Sequence, residues 1–196
     1  MNKAHLEFLA SPVWAEMLQV ELVPWLVEVV DLGDCVLEVG PGPGLTTDIL
    51  RERTSQVIAV EADADLAATL ATRLSATNVT VLNADATNAG LESNRFSAVT
   101  CFGMLHHMPS AELQNRLFAE AYRMLRPGGV FVATDSLDSE PVRKFHAGDV
   151  FVPLDPVSLE ARLQAAGFTR VRIAPTTYEL RFTASKRQDA TDIRGG

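Results

Sequence analysis

Val36-Leu37-Glu38-Val39-Gly40-Pro41-Gly42-Pro43-Gly44-Leu45 is the stretch that decides how this chain is read. A strand-like apolar run carrying one acid breaks into glycines at every second position. It then resumes as the helix-like Leu45-Thr46-Thr47-Asp48-Ile49-Leu50-Arg51. Strand, glycine loop and helix in that order open a nucleotide-binding α/β unit. The three glycines carry no side chains, so a ligand can lie against bare main chain at those positions. A P-loop needs Gly-x4-Gly-Lys-Ser/Thr, and no lysine occurs between Lys3 and Lys144. The dinucleotide pattern Gly-x-Gly-x-x-Gly/Ala wants its third small residue where Leu45 stands, one place after Gly44. Pro41 and Pro43 also remove two N–H donors from a loop that would have to cradle a pyrophosphate.

S-adenosylmethionine has no phosphate and carries a positive sulfonium. Glu38-Val39-Gly40-Pro41-Gly42-Pro43-Gly44, an acid followed by Gly-x-Gly-x-Gly, resembles motif I of the class I S-adenosylmethionine-dependent methyltransferases. Further stretches follow in order. Val57-Ile58-Ala59-Val60-Glu61 is a second apolar run closed by an acid, 21 residues after Gly40. A carboxylate at that strand end can accept both ribose hydroxyls. Val79 to Ala86 contains Asp85, which resembles the family's acceptor for the adenine amino group. Phe96 to His107 resembles motif IV, and Leu125-Arg126-Pro127-Gly128-Gly129-Val130 resembles the turn before the fifth strand. The resemblance covers roughly residues 34–185. It implies an α/β, Rossmann-like fold: a seven-stranded, mostly parallel sheet with an antiparallel last strand and helices on both faces. It also implies S-adenosylmethionine as cofactor, held by Glu38, Gly40, Pro41, Gly42, Gly44, Glu61, Ala62, Asp85, Ala86 and Phe102. In that set Glu38 faces the ammonium of the methionine moiety, with backbone near Gly40 and Phe102 accepting from the same group.

Length and composition set outer limits. A chain of 196 residues, 47% hydrophobic, suits one domain that buries its core without staples. Asp and Glu outnumber Lys and Arg by 25 to 17, a net charge of −8, which argues against DNA or RNA as partner. No apolar run reaches 18 residues, so no membrane span is expected, and the opening residues do not form a signal peptide. Cys35 and Cys101 fall in apolar strand stretches and read as core residues, which makes a reducing cytoplasm the default.

In chain order, residues 1–34 form a helical cap, 35–185 the sheet and 186–196 a polar, frayed tail. Ser11-Pro12 starts an amphipathic helix, which Pro24 is expected to break in two. Trp14 and Trp25 read as core anchors, with a lid over the substrate as their alternative role. A helix over Asp63 to Leu74 follows the second strand, and Ser110 caps another bearing Leu113, Leu117, Phe118 and Ala121. The fifth strand is expected over Val130 to Asp135. Residues 136–153 carry no legible pattern. Asp155-Pro156 caps the last helix, ended by Gly167, and Phe168–Ile173 and Tyr178–Ala184 alternate as a hairpin.

Methyl transfer is an in-line displacement in which the protein mostly orients, so few catalytic side chains are required. His106 and His107, just past the fourth strand, are the candidate general bases, with Asp135 and His146 behind them. The Asn/Asp-Pro-Pro-Tyr/Phe signature of nucleobase amino methylation is absent, as is any Cys-x-x-Cys, and no metal site is expected. The reading is a methyltransferase for a small-molecule acceptor, O-methylation favoured, acting as monomer or homodimer. A dinucleotide-dependent oxidoreductase and a non-catalytic cofactor-binding module are the alternatives.

Overall fold

The computed structural model describes residues 2–188. Its N-terminal helices follow their caps. Asn2 accepts from the His5 N–H (2.9 Å) to open α1 (Lys3–Leu9), inside the expected helical cap and ahead of the helix expected from Ser11. Ser11 accepts from the Trp14 N–H (3.2 Å) to open α2 (Pro12–Met17), with Pro12 in its first turn. The expected break at Pro24 does not occur. Leu18–Leu22 winds as a π-helical turn, and α3 (Val23–Val29) continues with Pro24 in its first turn. The wider turn lets the Val23 N–H reach the Leu18 carbonyl, so the chain stays helical past a residue that has no donor.

Seven strands form one sheet in the order β3-β2-β1-β4-β5-β7-β6. They are β1 (Cys35–Val39), β2 (Gln56–Glu61), β3 (Val79–Asn83), β4 (Phe96–Phe102), β5 (Leu125–Ser136), β6 (Thr169–Pro175) and β7 (Glu179–Ser185). β1 to β5 pair in parallel; β7 runs antiparallel to both β5 and β6, as the hairpin spacing required. β5 starts earlier than expected. Arg126 to Gly129 stays in the strand, with a register shift opposite Phe96–Ala98 and Gly128 at φ +79° donating to the Lys186 carbonyl. Lys186, expected to be frayed, is anchored: its ammonium donates to Asn94 (2.7 Å) and to the Tyr122 carbonyl (2.9 Å). Residues 189–196 of the expected tail lie outside the described residues.

Helices cover both faces. α6 (Ala111–Met124) and α8 (Pro156–Ala165) bury Leu117, Phe118, Ala121, Met124, Leu159 and Leu163 against Leu37, Val39, Val99, Phe131 and Phe182. On the other face α3 and α4 (Leu45–Arg51) set Leu26 and Leu50 against Val36, Val57, Ala98 and Val132. Consecutive strand residues therefore serve opposite layers, which is why the central strands are apolar throughout. α5 (Ala64–Arg73) begins at the Asp63 cap, and α7 (Glu140–Phe145) lies in the stretch that had no legible pattern.

Phe131 is fully buried, with ring centroids of Phe118, Phe168 and Phe182 at 6.0, 5.7 and 5.6 Å. Phe131→Ala is expected to cost about 3–5 kcal/mol in urea unfolding, whereas Tyr178→Ala, at 76% exposure, should stay within about 0.5 kcal/mol. Equal effects would contradict this packing.

Candidate active site

The parallel strands finish at one edge of the sheet, and strand order reverses between β1 and β4, the place where open α/β sheets bind ligands. The loops after β1, β2, β3 and β4 surround a cleft of about 720 Å³ at that edge, roofed by α1 and α7.

The glycine loop is fixed from beneath. Gly40 donates to the Val60 carbonyl (2.9 Å), Gly44 to the Pro41 carbonyl (3.0 Å), and the Arg73 guanidinium reaches the Pro43 and Gly44 carbonyls (3.2 and 3.1 Å). Glu61, buried at the tip of β2, accepts from the Gly42 N–H (3.0 Å) with one carboxylate oxygen and from the Asp63 N–H (2.9 Å) with the other. Two amides use one lone pair on each oxygen and leave the others for further donors. Gly42 has φ +54°, and a Cβ placed on it would meet nothing within 4 Å, so its bare face looks onto open space.

Eight of the expected cofactor residues line the cleft: Gly40, Pro41, Gly42, Glu61, Ala62, Asp85, Ala86 and Phe102. Two do not. Gly44 (φ +86°) turns toward α5, where a Cβ would sit 2.3 Å from Leu70, so it docks the loop on the helix instead of facing a ligand. Glu38 lies under the floor at 1% exposure, behind Thr46, whose hydroxyl donates to Glu38 Oε1. Glu38 Oε2 is buried without a hydrogen-bond partner. Burial raises the Glu38 carboxyl to about 7; the negative charges of Asp48 and Glu61 push the same way against the hydroxyl's pull. An orphaned buried oxygen beneath a phosphate-averse loop fits a ligand that brings a cation and no phosphate.

Asp85 sits in the loop after β3, exposed, with one oxygen accepting from the Thr87 N–H at 2.8 Å. Opposite it, the 3₁₀ turn Leu105–His107 after β4 carries both candidate bases. His106 is buried. Its Nδ1 bonds the Asp135 carboxylate at the end of β5, and its Nε2 lies 3.0 Å from His146 Nε2. His107 sets Nδ1 against the Val150 carbonyl (3.3 Å). The structure thus brings the four sequence candidates His106, His107, Asp135 and His146 together.

It adds His5, which sequence reasoning missed. Nothing near residue 5 marks it. It enters only because α1 docks on the 140s segment, where Asn2 donates to Asp149 (2.9 Å) and to the Phe145 carbonyl (3.2 Å). Burial lowers His5 to about 4 and His107 to about 3, with the neighbouring imidazoles adding to the effect. Met104 and Thr46, also on the cleft wall, were not singled out either.

Comparison with known proteins agrees with this geometry. The methyltransferase domain family matches residues 37–133. Ribosomal RNA small subunit methyltransferase A of Ureaplasma parvum is 30% identical over 106 residues, 47% of this chain and 38% of that protein. A probable ribosomal RNA small subunit methyltransferase A of Methanopyrus kandleri is 40% identical over 72 residues, 35% of this chain and 26% of that one. The chain therefore spans about two fifths or less of these curated relatives. Among solved structures, phosphoethanolamine N-methyltransferase 2 of Haemonchus contortus, in complex with phosphomonomethylethanolamine and S-adenosylhomocysteine, superposes with TM-score 0.73 at 16% identity. That match covers 91% of this chain and 53% of that one. An S-adenosylmethionine-dependent methyltransferase from Archaeoglobus fulgidus gives TM-score 0.72 at 16% identity, covering 88% and 94%. At such identities the superpositions establish the fold. Residues 37–133 thus belong to the methyltransferase domain family, and the fold around them is that of the class I S-adenosylmethionine-dependent methyltransferases.

Proposed function

We propose that the chain is a cytoplasmic S-adenosylmethionine-dependent methyltransferase acting on a small molecule, with an oxygen nucleophile favoured. The observation that carries the reading is Glu61: a buried carboxylate, held by two amides, at the mouth of open space over Gly42. When bound, S-adenosylmethionine would supply an electrophilic methyl carbon, to which the acceptor's lone pair bonds in line as the carbon–sulfur pair departs on sulfur.

The chain's own residues orient. Glu61 accepts the ribose hydroxyls on its remaining lone pairs, and Asp85 the adenine amino group. Glu38 draws the methionine ammonium toward the floor beside Gly40. At the other end His107, kept neutral by burial, offers an acceptor nitrogen to a hydroxyl, with His106 beside it on the cleft wall. The roof of α1 and α7 keeps water from the reacting atoms. Both cysteines are free, which supports a reducing compartment.

Acceptor size and charge follow from the wall. Among the described residues lining the cleft, none is Lys or Arg. A phosphorylated acceptor, such as the one bound by the Haemonchus contortus enzyme, has no cationic partner there. Ribosomal RNA, named for the curated relatives, is the competing acceptor; a net charge of −8 weighs against it.

Isothermal titration with S-adenosylhomocysteine should show binding, and Glu61→Ala should weaken it by about ten- to over a hundredfold, the worth of one charged hydrogen bond. Unchanged affinity, or NADH binding in its place, would remove the reading. Cofactor binding without transfer to any of a panel of small hydroxyl acceptors would mark a binding module.

Glu38 gives a second outcome. Its folded carboxyl titrates at about 7 against 4.5 when unfolded, so the folded state holds the extra proton between these values. Stability is full below pH 4.5 and falls as pH rises to about 7, by about 3 kcal/mol in all. The cofactor-free chain should therefore lose melting temperature from pH 5 to 8 relative to Glu38→Gln. Saturating S-adenosylhomocysteine should shrink that loss, because its ammonium favours the carboxylate. Parallel slopes for the two proteins would exclude Glu38 as the titrating group.

A further inference from the structure

The chain has four histidines, at positions 5, 106, 107 and 146, and all four meet at the acceptor end of the cleft. Their tautomers follow from their partners. A carbonyl only accepts, so His146 Nδ1, 2.7 Å from the Val142 carbonyl, carries the hydrogen and leaves Nε2 with its lone pair. His107 Nδ1 on the Val150 carbonyl does the same, and its Nε2 is buried with no hydrogen-bond partner. The Asp135 carboxylate already accepts from the His106 and Ser136 amides (3.0 and 2.7 Å), so His106 Nδ1 donates to it as well. That leaves the His106 Nε2 lone pair 3.0 Å from the lone pair of His146 Nε2. His5 is 5% exposed with Nδ1 unpartnered; the Asp149 carboxylate stands 3.9 Å off.

His106, His107 and His146 each have Nδ1 tied to an oxygen acceptor and a lone pair on Nε2, the arrangement that orients metal-bound histidine. One ring nitrogen each of His5, His107 and His146 lies within 4.8 Å of the other two. Facing lone pairs at the His106–His146 distance repel unless a proton or a cation lies between them. Two nitrogens bound about 2.1 Å from one ion in tetrahedral geometry stand about 3.4 Å apart, close to that contact. We infer that His5, His107 and His146, with His106 as the fourth donor, bind a first-row divalent cation, zinc above all.

The all-imidazole set excludes magnesium and calcium, which want oxygen. The sequence announced no metal because the ligands come from α1, the turn after β4 and the end of α7, and His106–His107 alone lacks ligand spacing. Four imidazoles fill a tetrahedral shell, so the ion would order the acceptor end of the cleft by tying α1 and the end of α7 to the turn after β4. The site does not depend on the methyl-transfer reading.

The test uses the full chain, stripped with a chelator and dialysed, then titrated with zinc by calorimetry and with cobalt by visible absorption. Expected are one ion per chain with a micromolar or tighter constant and the intense bands of four-coordinate cobalt. His107→Ala and His146→Ala should each weaken binding by more than about a hundredfold, and Asp135→Asn by about 10- to 100-fold. His5→Gln, on a short helix outside the sheet, should weaken binding likewise while leaving the sheet's core untouched. Retained S-adenosylhomocysteine binding and melting temperature certify that each variant is folded. No saturable binding of either ion, or binding undiminished by the four substitutions, would overturn the site. Zinc binding in a chain that ignores S-adenosylhomocysteine would leave the site standing and remove the methyltransferase reading.

Discussion

The carboxylate of Glu61 joins two loops that the sheet alone would leave independent. One oxygen holds the Gly42 amide in the loop after β1, the other holds the Asp63 amide at the start of α5. Because the group is buried at the end of an apolar strand, each bond forms in a low-dielectric setting where an unmade partner is costly. The glycine loop is thereby pinned with its bare face outward. Arg73 completes the support from α5 through the Pro43 and Gly44 carbonyls. Everything built at the cofactor end depends on that loop being rigid before a ligand arrives.

Much of the fold was legible because local chemistry and tertiary packing agree along the central strands. Val36 to Val39, Val57 to Glu61 and Phe96 to Phe102 are apolar on both faces because helices cover both. Ser11, Asp63, Ser110 and Asp155 announced helix starts, and each accepts from a first-turn amide. Failures came where backbone geometry overrode residue preference. Pro24 ends no helix because the preceding π turn absorbs its missing donor. Arg126 to Gly129 reads as a turn yet lies in β5, where the Phe96–Ala98 irregularity makes room for the extra residues.

At the site, legibility split by sequence distance. Residues that follow a strand end, such as Glu61, Asp85 and His106, are placed by strand order. Those whose role depends on which way a side chain leaves the backbone are not, and so Glu38 and Gly44 came out behind the cleft wall instead of on it. The histidine cluster was least legible of all, because its members share no element and meet only when α1 and α7 close over β4 and β5. The cleft is thus two environments in one volume: carboxylates and bare amides toward β2 and β3, imidazoles and apolar rings toward α1 and α7.

The strand order has a consequence for how the molecule assembles. β7 follows every other strand in the chain, yet it lies inside the sheet, between β5 and β6. Until residues 179–185 arrive, β5 presents a long row of unsatisfied amides and carbonyls flanked by Val130, Phe131 and Val132, the kind of edge that pairs with strangers. A nascent or heat-loosened chain is therefore most prone to aggregate through the middle of its own sheet. Closing that seam late, by contacts distant in sequence, makes folding slow.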